Sequence, residues 1–225
     1  MPSTLRRARK GDQKMIFHNR AEAGIMLAEK LAAFINKDAL LLAIPRGGVV
    51  VAAEIARAFN LNLDLIIPRK IGAPHNREMA IGAVTQDGTT LLNEEMLGYL
   101  GISRADLEDI IAFEIREINR RMQFYGAEQN INKITGRQLI VVDDGVATGY
   151  TMQAALISAR KYGPKELVFA IPVAPLATFK QLEQEVDRAV CLHVPENFYA
   201  VSQFYEEFEQ TEDETVIELM REFAG

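Results

Sequence analysis

The stretch Leu139-Ile-Val-Val-Asp-Asp-Gly-Val-Ala-Thr-Gly-Tyr-Thr151 decides the fold. Gln138–Val142 reads as a strand buried on both faces, because Leu139 to Val142 are apolar without alternation. Two adjacent acids end it, a small turn follows, and Thr151–Tyr162 reads as a helix. Adjacent carboxylates at a strand end repel each other and lose hydration, so they need hydroxyl donors or a cation as partners. The turn Ala147–Thr151 brings glycine, small residues and two hydroxyls ahead of a helix, so several backbone N–H groups can face one anion. A carboxylate pair beside such a cradle suits a sugar phosphate, the acids holding hydroxyls and the turn holding phosphate. Helix capping alone would need one acid, not two followed by Thr-Gly-x-Thr. The acid pocket of a signalling receiver domain fits poorly too, since about 140 residues precede the pair here.

Working outward, the same strand–turn–helix pattern recurs. Ala39–Pro45 is an apolar run of strand length, followed by Arg46-Gly47-Gly48 and a helix over Val49–Phe59. Leu63–Pro68 reads as a second buried strand, closed by Arg69-Lys70. Glu166–Val173 and Ala189–Val194 are further strands, with a helix over Pro175–Glu185 between them. Arg20–Asn36 is an opening amphipathic helix. Ser103 with Asp106 looks like a helix N-cap, and Leu107, Ile110, Ile111, Ile115, Ile118 and Met122 mark one face of the long helix after it. Ile71–Asn93, with Gly72, Pro74, Gly82 and Gly88, reads as loop with weak strand signals at Ala80–Val84 and Thr90–Leu92. Strands separated by helices predict an α/β fold, a parallel sheet flanked by helices on both faces. In such a sheet ligands bind outside the carboxyl ends of the strands.

Composition narrows the class. The chain has 225 residues, 48% hydrophobic and 25% charged, as in an ordinary globular protein, which argues against disorder or a disulfide scaffold. The longest apolar runs are far short of the ~20 residues of a membrane span. A single cysteine, Cys191, fits a reducing cytoplasm and reads as an inert buried thiol. Net charge is −6, so nucleic acid is not an expected partner. Residues 1–15 hold five basic side chains against Asp12 and read as a disordered arm, or as an extension upstream of Met15. Residues 16–225 read as one domain. Its end, 197–225, is an aromatic and acidic appendage, either a hood over an acceptor pocket or packing over the sheet edge or a second subunit.

The segment Val141–Thr151 resembles the phosphoribosyl pyrophosphate (PRPP) signature of the type I phosphoribosyltransferases. Ile44-Pro-Arg-Gly-Gly48 resembles their pyrophosphate loop, Arg69-Lys70 matches their basic pair, and Ile71–Asn93 falls where they carry a mobile catalytic loop. More narrowly, Pro45-Arg-Gly-Gly-Val49, Arg69-Lys-Ile-Gly72 and Val142–Met152 resemble a poorly characterised bacterial and archaeal subgroup of phosphoribosyltransferase-domain proteins.

The resemblance implies a transferase that moves the phosphoribosyl group of PRPP to a nitrogen acceptor, a nucleobase being the expected class, with release of pyrophosphate. Asp143 and Asp144 would bind the ribose hydroxyls and position Mg²⁺. Gly145, Val146, Ala147, Thr148, Gly149, Tyr150 and Thr151 would wrap the 5-phosphate. Arg46, Gly47 and Gly48 would take the pyrophosphate, through a non-proline cis bond as in relatives, and Arg69 and Lys70 would neutralise it. Asp143, Asp144, Arg46 and Lys70 are the candidate catalytic residues. His75 and Arg77 lie in the presumed loop; His18 and His193 read as structural. A homodimer is expected. Two positions depart from the family pattern: Gly145 replaces an aliphatic residue, and Ala147 replaces the acid of the hypoxanthine and guanine enzymes. The alternative is a PRPP-binding regulator without catalysis, favoured by Gly145 and the basic arm but lacking a DNA-reading module.

Overall fold

Strand β1 (Leu40–Ala43) is buried at every position and pairs in parallel with β2 (Asn62–Leu65) on one side and β6 (Gln138–Val142) on the other. The computed structural model describes residues 15–127 and 134–223. With β7 (Glu166–Val173) and β8 (Arg188–His193) these strands form a five-stranded parallel sheet in the order β2-β1-β6-β7-β8. Successive side chains feed opposite faces. Leu41, Ala43, Ile140 and Val142 pack under α1 (Arg20–Leu31) and α2 (Gly47–Phe59). Leu40, Leu42, Leu139 and Val141 pack under α5 (Tyr150–Lys161) and α6 (Leu176–Glu183). A strand that feeds two cores has no polar face, which explains its unbroken apolar reading.

The segment Ile71–Asn93 is more ordered than its reading as loop: the weak strand signal at Thr90–Leu92 is a strand, and that at Ala80–Val84 is the end of a longer one. β3 (Arg69–Ala73), β4 (Asn76–Val84) and β5 (Thr90–Leu92) form a separate antiparallel sheet, with a register irregularity at Gly72. Arg69 and Lys70 open β3 instead of closing β2. The strand signals are weak because Gly72 and Gly82 fall inside β3 and β4, Pro74 marks the turn between them, and their partners are local. Asn93 caps the short α3 (Glu94–Leu100), its Oδ1 accepting from Met96 N–H at 3.0 Å. The expected cap at Ser103 is present: Asp106 Oδ2 accepts from the Ser103 backbone N–H and hydroxyl at 2.8 and 2.7 Å. It starts a short 3₁₀ turn leading into α4 (Glu108–Tyr125), whose Ile118 and Met122 are buried.

The chain runs from β1 to β2 on one side, then returns to β6 on the other. The loops after β1 and β6 therefore diverge, and the register sets Ala43 opposite Val142 so that both strands end level. This switch point is where an open parallel sheet leaves a crevice. Past β8 the chain crosses back over it. Tyr205 bridges to Phe17, and Phe17, Phe204, Tyr205 and Val173 make a small core of their own. The last helix, α7 (Asp213–Glu222), buries Val216 and Met220 in the α1–α2 core. The C-terminal appendage is thus packed against the sheet, and its middle also reaches the crevice. The basic arm, apart from Met15, lies outside the described residues. No helix among them is long and apolar enough to cross a membrane.

Candidate active site

A cleft of about 390 Å³ opens at the switch point, lined by residues including Arg20, Arg46, Gly47, Asp143, Asp144 and Thr151. A larger hollow between α1 and α2, about 480 Å³, is lined by Ile25, Ala28, Ala32, Ala58 and Phe59. Its cation, Arg57, is paired with Glu54 and Glu222, and Glu29 is the remaining charged residue on a wall that is otherwise apolar.

The acid pair emerges at the end of β6. Asp143 Oδ1 accepts from the Asp144 backbone N–H at 2.8 Å. Burial pushes the Asp143 carboxyl well above the ordinary carboxylate range, and the neighbouring Asp144 charge adds to it. Asp144 Oδ2 instead accepts from Arg20 Nε at 2.7 Å. The Tyr205 hydroxyl donates to the Asp144 backbone carbonyl at 2.6 Å, and burial raises the phenol's pKa.

Beyond the acids the turn is held from behind. Val146 N–H donates to Val173 O at 3.0 Å, and the Thr178 hydroxyl donates to Ala147 O at 2.8 Å. The Val146 amide is therefore engaged in scaffolding. From Ala147 to Thr151, no backbone N–H donates to a loop or side-chain acceptor among the described residues. These groups sit at the N-terminus of α5, where the helix dipole adds positive potential. Ala147 and Thr148 are exposed, whereas Thr151 lines the cleft. Tyr150 is occupied structurally, its hydroxyl accepting from Asn93 Nδ2 at 2.8 Å.

Across the cleft, the Pro45–Arg46 peptide bond is cis. The Arg46 guanidinium lies 3.7 Å from Asp213, whose carboxylate also accepts from the Tyr125 hydroxyl at 2.5 Å. With its amide oxygen toward the guanidinium, Gln210 accepts from Arg46 Nη1 at 3.0 Å. Gly47 starts α2 directly against Asp144: a Cβ there would lie 1.9 Å from Asp144 Oδ2. Asp143, Asp144, Arg46, Gly47, Gly48 and the turn are thus brought together. Arg69 and Lys70 do not line the cleft, although Pro68 does. Arg69 is paired with Glu114 of α4, and Lys70 is exposed. His75 is exposed in the β3–β4 turn, and Arg77 lies 6.0 Å from the Phe113 ring. His18 pairs with Glu206 at 3.0 Å, and His193 packs edge-on to Phe204. Burial pushes the Cys191 thiol up to about 12.

Of the cleft residues, Arg20 was missed by sequence reasoning, and Phe208, Gln210 and Thr211 were covered only by the reading of 197–225 as a possible hood. Arg20 carried no signal beyond its place in a helix. The aromatic run in the tail was the one available hint.

Gly145 explains a departure from the family pattern. Its φ is +149°, and a Cβ there would lie 2.5 Å from Val201 Cγ1 and 3.0 Å from Val173 Cγ1. Val201 of the tail fills the space that an aliphatic side chain would take. Gly145→Val should therefore destabilise the protein by roughly 2 kcal/mol. In a Val201→Ala background the same change should cost less, a coupling that paired melting curves would measure.

The geometry has relatives. The chain matches the phosphoribosyl transferase domain over residues 12–209. It belongs to that family. A Mycobacterium tuberculosis H37Rv protein named "Putative phosphoribosyl transferase" is 35% identical over 213 residues, covering 93% of this chain and 48% of that one. The chain thus spans about half the length of the curated relatives it matches. A crystal structure from Thermus thermophilus superposes with a TM-score of 0.77 at 37% identity, covering 94% of this chain and 100% of that one. The signature motif sits on a strand–turn–helix, and the expected parallel sheet is present.

Proposed function

We propose that the chain transfers the phosphoribosyl group of PRPP to a nitrogen acceptor, a nucleobase being the class it suits, and releases pyrophosphate. The observation that carries this reading is the adjacency of the Asp143–Asp144 pair to the turn Ala147–Thr151, whose backbone N–H groups donate to no loop or side-chain acceptor among the described residues, opposite the Arg46 loop. In this reading the amides of Ala147 to Thr151 hold the 5-phosphate and the acids hold the ribose hydroxyls. Gly47 and Gly48 present the N-terminus of α2 to the pyrophosphate, and Arg46 adds a positive charge beside it. The acceptor nitrogen forms a bond to C1 as the C1–O bond to pyrophosphate breaks, and the bonding electrons leave with pyrophosphate. The proton on the acceptor nitrogen passes to the departing pyrophosphate. The transition state is oxocarbenium-like and needs no protein nucleophile, so catalysis consists of alignment and charge stabilisation.

The donor chemistry fits Mg²⁺. The cation takes hard oxygen ligands and binds through one or two carboxylates plus substrate phosphates, and Asp143 and Asp144 would supply the former. No cluster of three or more acid, histidine or cysteine ligands exists among the described residues, consistent with a cation that arrives with PRPP. When bound it would offset diphosphate charge.

The test is PRPP-dependent pyrophosphate release across a panel of purines, pyrimidines and other nitrogen nucleophiles. Release with at least one acceptor supports the transferase. PRPP binding without release under any acceptor favours the regulator, and no binding at all contradicts both.

A further inference from the structure

Arg20 lines the cleft yet belongs to none of the family motifs. It sits in the first turn of α1, 124 positions before Asp144. Three contacts fix its guanidinium: Nε donates to Asp144 Oδ2 at 2.7 Å, Nη1 donates to Glu209 O at 2.8 Å, and the group lies 3.9 Å from the centre of the Phe208 ring. The side chains of Arg20 and Asp144 are only 12% and 16% exposed, so the pair is largely withdrawn from solvent screening. Loss of one partner would leave the other charge poorly solvated. Asp144 is also held at its main chain by Tyr205. The Asp144 carboxylate accepts from no other arginine, lysine or backbone N–H among the described residues, and its one further side-chain hydrogen bond is shared with the Asp143 carboxyl, the partner acid of the sugar clamp.

We propose that Arg20 is a positioning residue for the sugar. It engages Oδ2 and so aims Oδ1 at a ribose hydroxyl, and the same guanidinium ties the tail, at Phe208 and Glu209, to the sugar clamp. This rests on the PRPP reading above and extends it to a residue from outside the motifs. A general electrostatic role would strengthen binding of any sugar phosphate equally. A positioning role appears only in how well the site distinguishes sugars that have the hydroxyl from sugars that lack it.

The experiment is calorimetric titration of the full chain with ribose 5-phosphate and with its 2-deoxy and 3-deoxy analogues. The wild type should prefer ribose 5-phosphate over at least one analogue by at least ~10-fold, the worth of a charge-assisted hydrogen bond. Arg20→Met should reduce that preference to less than about 3-fold. Arg20→Lys keeps the charge but cannot reach Asp144 and Glu209 as a fork, and should fall between them. Lys also serves if the Met variant fails to fold, as judged by its melting curve. If both variants keep the wild-type preference, or weaken all three sugars equally, the role assigned to Arg20 is wrong while the PRPP reading stands. If the wild type itself shows no preference, Asp144 holds no ribose hydroxyl and the role assigned to Arg20 is wrong, whereas the PRPP reading is judged separately by pyrophosphate release.

Discussion

Gly47→Ala is expected to lower PRPP-dependent pyrophosphate release by at least ~100-fold, the loss that a displacement of about 1 Å can cause in an aligned site. The reason is local. The added methyl would lie 1.9 Å from Asp144 Oδ2 and 2.6 Å from Arg20 Nε, well inside van der Waals contact. Either the carboxylate swings away from the sugar or the start of α2 shifts, and both separate the sugar clamp from the pyrophosphate loop. Alanine is a better helix former than glycine, and Gly47 lies in the first turn of α2, so the helix itself should tolerate it. Circular dichroism should therefore show a folded protein that is catalytically impaired. Turnover within about threefold of wild type would mean that the Asp144–Gly47 contact is irrelevant to the reaction.

Asp144→Asn should be nearly as damaging, with a loss of roughly 100-fold in kcat/KM for PRPP. The substitution keeps the shape but removes the charge opposite Arg20, and it can present an N–H where an acceptor oxygen stood. Asp143→Asn gives the contrast. An amide oxygen there can still accept from the Asp144 N–H, which Asp143 Oδ1 holds at 2.8 Å, and Arg20 keeps its partner on Asp144. Its loss should be smaller, about tenfold. Steady-state kinetics on the two variants would decide the matter. Equal losses would show that the acids act as one charge cluster and not in two distinct environments.

Much of this site was legible in the sequence for a physical reason. Parallel strands buried on both faces leave unbroken apolar runs, and their carboxyl ends carry the ligand loops. Leu139–Thr151 and Ala39–Gly48 therefore display strand, site and helix in a single reading. The antiparallel β3–β4–β5 sheet was less legible, since Gly72, Pro74 and Gly82 read as punctuation in strands that pair only with near neighbours. Arg69 illustrates a different gap: its motif position was plain, but the pairing with Glu114 depends on how α4 packs. The tail and Arg20 were beyond local reading. Phe208 and Gln210 reach the cleft, and Tyr205 reaches the Asp144 carbonyl, because the bridge between Phe17 and Tyr205 brings the tail segment beside the start of α1.

In this reading one cleft holds the sugar hydroxyls and the 5-phosphate side by side. A crystal structure of the full chain with PRPP and Mg²⁺ tests it most directly. The 5-phosphate should lie against the backbone N–H groups of Ala147 to Thr151, the ribose hydroxyls on Asp143 and Asp144, and the diphosphate facing Gly47 and Gly48. PRPP bound with its 5-phosphate away from that turn, or with its hydroxyls out of reach of both acids, would contradict it.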